Sequence, residues 1–154
     1  MDLVKEIEEL LYSHECVTVP NFGSFLVSNT KAKIDFKNGK FISPKRKVSF
    51  NILIKQNDGI LAKNISSNQN ISYQDAIEKI DEKIKIWSQK IKIDTLIFKN
   101  IGEFYLNAEN KMCFQAYNTK NFSHNFYGLE DFNRLPLNEN ELKIIIKGTN
   151  IAKK

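Results

Sequence analysis

Cysteine and histidine are nearly absent from this chain, with two of each among 154 residues. Cys16 and Cys113 lie far apart and outside any CxxC pair. That excludes a disulfide framework and reads as buried free thiols in a reducing compartment, with a single bridge between them left open at this point. Neither His14 nor His124 has a Cys, His or Asp partner at metal-ligand spacing, so no metal site is expected. His14 falls near a predicted helix end, where an imidazole commonly meets the helix dipole. The six glycines form no phosphate-cradling loop, and neither GxSxG nor HExxH occurs. Glu6, Glu8, Glu9, Asp75, Glu78, Asp81 and Glu82 alternate with apolar positions. They read as solvated helix faces rather than as a general acid–base pair. The expectation is a non-enzymatic protein with no cofactor, no metal and no small-molecule substrate.

Long apolar runs are also missing. None approaches the ~18 residues that span a bilayer. The opening Met-Asp-Leu-Val-Lys-Glu-Ile-Glu-Glu-Leu is acidic and amphipathic, without the basic start and apolar middle of a signal peptide. A soluble, cytoplasmic chain is the expectation.

What is present is apolar material sufficient for a core without staples, at 42% hydrophobic residues, and an unevenly placed positive charge. The formal net charge is +5. Lys31, Lys33, Lys37, Lys40, Lys45, Arg46 and Lys47 face only Asp35 within their own stretch. Those seven cations and one carboxylate give +6, which leaves −1 for the rest of the chain. Attraction to a polyanion is therefore focused on one short segment. Phe36 and Phe41 are interleaved with these cations. Phe36, near the tip, has the character of an apolar wedge between base steps. Composition alone slightly favours a solvated surface, or lysines that guard an edge strand against aggregation.

Along the chain, Leu3, Ile7, Leu10 and Leu11 predict a helix from an Asp2 cap to about His14. Residues 16–27 predict a strand, a tight turn at Pro20-Asn-Phe-Gly23, and a second strand. Asn38-Gly39 predicts a two-residue hairpin tip, with Lys47-Val-Ser-Phe50 as the returning strand. A helix is expected over 52–65 and a polar break over 66–70. Another helix is expected from Ser72, whose Ser72-Tyr-Gln-Asp75 has capping-box form, with Ile77, Ile80, Ile84 and Trp87 on its inner stripe.

Residues 95–106 then repeat the earlier strand–turn–strand. With Val17 set against Leu96, Asn21 meets Asn100, Gly23 meets Gly102 and Phe25 meets Phe104. Each copy follows an amphipathic helix, which makes internal duplication the preferred explanation. In this shared corner the glycine permits a backbone shape closed to other residues, and the phenylalanine anchors the next strand. In the last third, Phe122, Phe126, Tyr127 and Phe132 crowd around Gly128. An aromatic flap over the core is favoured there, with a partner-docking surface as the alternative.

The stretch Val17 to Phe50, with its corner Asn21-Phe22-Gly23-Ser24-Phe25, resembles the body and basic β-arm of HU/IHF proteins. Leu61-Ala-Lys-Asn-Ile65, Ile71-Ser-Tyr-Gln-Asp-Ala76 and Lys99-Asn-Ile-Gly-Glu-Phe104 resemble HU's first helix, second helix and corner, in order. The whole is most similar to a tandem HU-like family of Bacteroidota. That family is the bacterial branch of a clade named for a eukaryotic centrosomal coiled-coil-domain protein. Val17–Phe25, Val48-Ser-Phe-Asn51 and Asn57-Asp-Gly-Ile-Leu-Ala62 carry the likeness. Members often continue into a membrane helix and a peptidoglycan-binding SPOR domain. The chain is accordingly expected to be the amino-terminal, cytoplasmic part of such a protein, tethered to the inner membrane if that longer chain follows.

The resemblance implies an α+β fold of two HU-like units, paired as an intrachain pseudo-dimer. The first would cover 1–66 and the second 52–120, sharing the helix 52–65, with a C-terminal extension over 121–154. It further implies double-stranded DNA as partner, held at the phosphate backbone by Lys31, Lys33, Phe36, Lys37, Lys40, Lys45, Arg46 and Lys47. Asn21, Gly23, Phe25, Asn100, Gly102 and Phe104 would be structural corner residues. Two departures stand against DNA. The Arg-Asn-Pro arm tip of HU is absent, with Asp35-Phe36 near its place and Pro44 further along. The second copy turns straight back through Asn110-Lys111, with almost no arm. The competing expectation is a protein-interaction or scaffolding module on an HU frame.

Overall fold

The computed structural model describes residues 2–117, 122 and 131–133. The chain divides into two compact units, Met1–Thr30 with Lys45–Tyr127, and Lys31–Pro44 with Gly128–Lys154. The first is the body and the second holds the arm tip. The fold is α+β, with three helices and small antiparallel sheets among the described residues.

In the body, α1 (Leu3–Leu11) starts where the Asp2 side chain accepts the Lys5 amide at 3.3 Å. It buries Leu3, Ile7, Leu10 and Leu11, the expected stripe. Strands β1 (Cys16–Val19), β2 (Gly23–Thr30) and β5 (Lys45–Asn51) form one antiparallel sheet in the order β1-β2-β5. After α2 (Ile60–Gln69) and α3 (Tyr73–Lys90), strands β6 (Leu96–Phe98), β7 (Gly102–Leu106) and β8 (Met112–Ala116) form a second sheet in the order β6-β7-β8. The registers repeat: Val17 faces Phe25 and Phe25 faces Phe50, while Leu96 faces Phe104 and Phe104 faces Phe114.

The repeated corner is a tight turn in both copies. The Phe22 amide donates to the Val19 carbonyl at 3.1 Å, and the Ile101 amide to Phe98 at 3.0 Å. Asn21 (φ +62°) and Asn100 (φ +68°) carry the left-handed backbone that the third position of a type II turn requires. This refines the role expected of the glycines. Gly23 does have φ +152°, but no positive φ occurs at Gly102. What both glycines supply is space. A Cβ at Gly23 would meet the Phe50 ring, and the Asn51 carbonyl oxygen at 2.9 Å. A Cβ at Gly102 would meet the Gln115 carbonyl, and the Phe114 ring at 2.7 Å. Each corner therefore lets a phenylalanine of the third strand come close against the glycine.

Those rings join one core. Phe50 and Phe104 lie 4.7 Å apart, Phe22 and Phe104 5.1 Å, and Phe25 and Phe98 5.8 Å, while Trp87 of α3 packs on Phe98 at 4.6 Å. Hydrogen bonds also cross between the copies. The Asn21 side-chain amide donates to Asp81 of α3 at 3.3 Å, and that of Asn100 donates to Glu8 of α1 at 3.2 Å. Phe122 completes the core beside Tyr12, with ring centroids 5.4 Å apart. That agrees with a flap for this one residue; Phe132 is instead exposed in the tip unit, and Phe126, Tyr127 and Gly128 lie outside the described residues.

Three expected elements are corrected. The helix over 52–65 begins only at Ile60, and 52–59 is irregular, with Leu53 85% exposed. Side chains of Asn51, Asn57 and Asp58 capture the amides of Leu53, Gly59 and Ile60 at 2.9–3.0 Å. Such local bonds compete with helix formation, and Gly59 turns left-handed at φ +80°. The polar stretch 66–70 is mostly helical, because α2 runs on to Gln69 before Asn70 ends it at φ +52°. Cys16 and Cys113 are unbridged but half-buried rather than buried.

Candidate nucleic-acid interface

The basic segment leaves the body at Thr30 and returns at Lys45, residues that face each other across β2 and β5. Two bonds close this base: the Thr30 hydroxyl donates to the Lys45 carbonyl at 3.0 Å and accepts the Lys45 amide at 3.1 Å. Beyond it, β3 (Lys33–Asp35) pairs with β4 (Lys40–Ile42), matching Lys33 to Ile42, Ile34 to Phe41 and Asp35 to Lys40.

The tip is a four-residue loop, Phe36 to Gly39, and not the two-residue Asn38-Gly39 turn expected. The cause is Asp35. One carboxylate oxygen accepts the amides of Lys37 and Asn38 at 3.1 and 3.2 Å, and the other accepts the Asn38 side-chain amide at 2.8 Å. Gly39 closes the loop at φ +59°. These bonds, led by that from the Asn38 side chain, hold the Asp35 carboxyl below its ordinary value.

Lys31, Lys33, Phe36, Lys37 and Lys40 are exposed together on the tip unit, with Phe36 74% exposed. Lys45, Arg46 and Lys47 belong to β5 in the body. Lys47 is exposed, and Lys45 is half-buried. Arg46 serves the fold. Its guanidinium donates to the carbonyls of Tyr12 at 2.7 Å and His14 at 3.2 Å, just past the end of α1. Helix ends leave carbonyls without intrahelical partners, and Arg46 reaches from the neighbouring sheet to satisfy that region. Its place within a lysine run concealed this use.

The structure brings three residues to the tip that the sequence did not connect with the arm, Asp131, Phe132 and Asn133. Strand β9 (Phe132–Asn133) pairs with β4, placing Phe132 opposite Phe41 and Asn133 opposite Lys40. The Phe41 and Phe132 rings stack with centroids 4.5 Å apart and planes at 7°. Asp131 accepts the Ser43 amide at 2.9 Å and the Ser43 hydroxyl at 3.0 Å. The aromatic crowding around residue 128 was the visible signal; no spacing rule joins residue 132 to residue 41.

Among the described residues no group of three or more His, Cys, Asp or Glu is placed to hold a metal, and no helix is long and apolar enough to cross a membrane. Two small sheets, each built around the same corner and sharing one core, with a hairpin arm on the first, define an HU-like tandem. Family models agree: one described as CCDC81-like prokaryotic HU domain 1 matches residues 1–58, and one described as CCDC81-like prokaryotic HU domain 2 matches residues 59–127. The chain belongs to this CCDC81-like prokaryotic HU family. The border between the two matches falls just before α2, so that helix lies in the second domain. No curated protein and no solved structure matches the chain.

Proposed function

We propose that this chain is a non-enzymatic, cytoplasmic nucleic-acid-binding module that grips the phosphate backbone of double-stranded DNA with its single arm. The observation that carries the reading is the tip itself. Lys31, Lys33, Lys37 and Lys40 are exposed on one small unit, and none closes an ion pair among the described residues. Asp35, the carboxylate within their stretch, accepts the loop amides. Lys45 and Lys47 stand on β5 of the body, so the tip lysines carry the reading by themselves. Arg46 contributes chiefly by holding β5 against α1. Phe36 is the exposed apolar group at the tip. The two HU-like copies, with their common core and crossed asparagine bonds, act on this reading as an internal pseudo-dimer that offers one arm.

Binding of this kind is salt-dependent and sequence-tolerant. Fluorescence anisotropy with a random-sequence duplex across a salt series tests it. The expected result is micromolar-range binding, with log K falling against log salt at a slope of about −3 to −4 if each of four lysines meets one phosphate. Reversing the charge of Lys31, Lys33, Lys37 and Lys40 should abolish it. No binding at low salt overturns the reading.

One observation favours a second reading, a protein-interaction scaffold. An open groove of about 510 Å³ in the body has an apolar floor including Phe22, Ile91 and Met112, with Lys55 and Lys92 among its lining residues. Capture of a protein partner by a chain that fails the anisotropy test would establish that alternative.

A further inference from the structure

Pairing in the tip unit sorts its side chains by face. Residues opposite one another in neighbouring strands point the same way, and successive residues alternate. Ile34, Phe41 and Phe132 therefore form one row across all three strands, while Asp35, Lys40 and Asn133 form a row on the other face. The first row is open: Ile34 is 49% exposed and Phe132 54% exposed. Phe132 has one face on Phe41 and over half of its surface in solvent. A shallow, almost wholly apolar hollow of about 230 Å³ is lined by the three residues of this row, with Ala32 and Pro44 beside them.

An apolar row on a segment this basic is unusual, since Lys31, Lys33, Lys37 and Lys40 are exposed on the same small unit. Strands lie about 4.8 Å apart. An extended lysine side chain is longer than that, so the ammonium groups of Lys33 and Lys40 can reach the rim of the sheet from the reverse face. Phosphates at the rim and flat aromatic surface beside it are the two components that sequence-tolerant single-strand binders combine. A duplex keeps its bases stacked on one another and must unstack to use such a row, at a cost of a few kcal/mol per step; an unpaired base does not.

We propose that the Ile34–Phe41–Phe132 row is a stacking platform for unpaired nucleobases, so that the arm takes single-stranded or locally unpaired nucleic acid in preference to intact duplex. This deepens the nucleic-acid reading and rests on it. The platform is completed by residue 132, which lies beyond both family matches, so it is a property of this chain's extension rather than of the HU-like copies. Stacking is sequence-tolerant because every base has a π-face.

The test compares, for the full chain, a single-stranded oligothymidine carrying one 5-iodouracil with a duplex of the same length, each at several salt concentrations. Irradiation cross-links the iodinated base to aromatic rings stacked on it. The expected result is tighter binding of the single strand and a cross-link at Phe132 or Phe41. Phe132→Leu, which keeps an apolar side chain on the strand, should weaken single-strand binding about fivefold or more, as loss of one stacked base implies, and leave duplex binding unchanged. Phe41→Leu supplies a second variant should Phe132→Leu disturb β9. Equal affinity for both forms with no effect of either variant overturns the platform while the backbone-binding reading stands, and so does a cross-link confined to the body. Failure of both forms to bind at low salt overturns both.

Discussion

The two HU-like copies share a corner and a three-stranded sheet but not an arm. Phe25 and its partner Phe50 are separated by 25 positions, Phe104 and Phe114 by ten, so the second hairpin lacks 15 residues that the first possesses. The paired phenylalanines kept in both copies, Phe25 with Phe104 and Phe50 with Phe114, lie in or against the common core, while the strands found only in the first copy belong to a separate unit. The positions dictated by packing are thus the repeated ones, while the cations and exposed aromatics fall in the unrepeated loop. An excursion of 15 residues adds only a modest closure entropy, so the first copy carries its arm without loss to the core.

The largest effect expected bears on whether the copies are one folding unit. Phe25 and Phe104 are both fully buried and their rings lie 6.0 Å apart. Phe25→Ala and Phe104→Ala should each cost about 3–5 kcal/mol, the range for a large buried aromatic. Because the rings share one cluster, urea unfolding of either variant should remain a single transition by both far-UV circular dichroism and Trp87 fluorescence. Two separated transitions, with only the altered copy displaced, would break the comparison and make the copies independent domains.

A smaller effect separates neighbours within the basic run. Arg46 donates two charged hydrogen bonds to the carbonyls after α1, whereas Lys47 is exposed. Bonds from charged donors contribute about 1.5–3 kcal/mol each in favourable settings. With Arg46 only half-buried, Arg46→Ala should cost about 2 kcal/mol by chemical denaturation. Lys47→Ala should leave stability within about 0.5 kcal/mol of the original. If the two substitutions behave alike, the assignment of Arg46 to the fold is wrong.

That pair of residues shows where the sequence is readable. Period and caps located α1 and α3, and the matched Asn-x-Gly-x-Phe corners located both sheets, because those signals are local and set by the core. The start of α2 was not readable by periodicity. Ile52, Leu53 and Ile54 look like a helix stripe, yet they are exposed while Asn51, Asn57 and Asp58 bind the backbone locally. At the candidate interface, charge clustering identified the segment but not the job of each member. Arg46 and Lys47 are chemically alike in a charge count, and only the approach of β5 to the end of α1 distinguishes them. The place of Phe132 in the arm was unreadable for a related reason: it stood out only as one of an aromatic cluster, and its partner is 91 positions away in the chain.

The smallest effect uses the turns of the two hairpins, which employ one device with different chemistry. In the arm, an Asp35 carboxylate oxygen holds the amides of Lys37 and Asn38; in the second copy, the Asn107 side-chain oxygen holds those of Glu109 and Lys111, both at 2.9 Å. Only the first can be protonated. Asp35 is held below its ordinary value of 3.8, mainly by the Asn38 side chain. A carboxyl depressed in the folded state stabilises it above the unfolded value and ceases to do so as pH falls through the folded one. The Asp35 turn should therefore hold above the ordinary carboxylate value of 3.8 and loosen as pH falls below it, while the Asn107 acceptor, an amide, keeps its two bonds over the same range. Amide-proton temperature coefficients of Lys37, Asn38, Glu109 and Lys111, which report hydrogen bonding rather than nearby charge, read both turns in one sample from pH 7 to pH 2. Asp35→Asn should remove the pH dependence of the tip and make the first turn behave as the second does. If the amides of both turns lose their hydrogen bonds together, acid acts on the whole body and the tip carries no titration of its own.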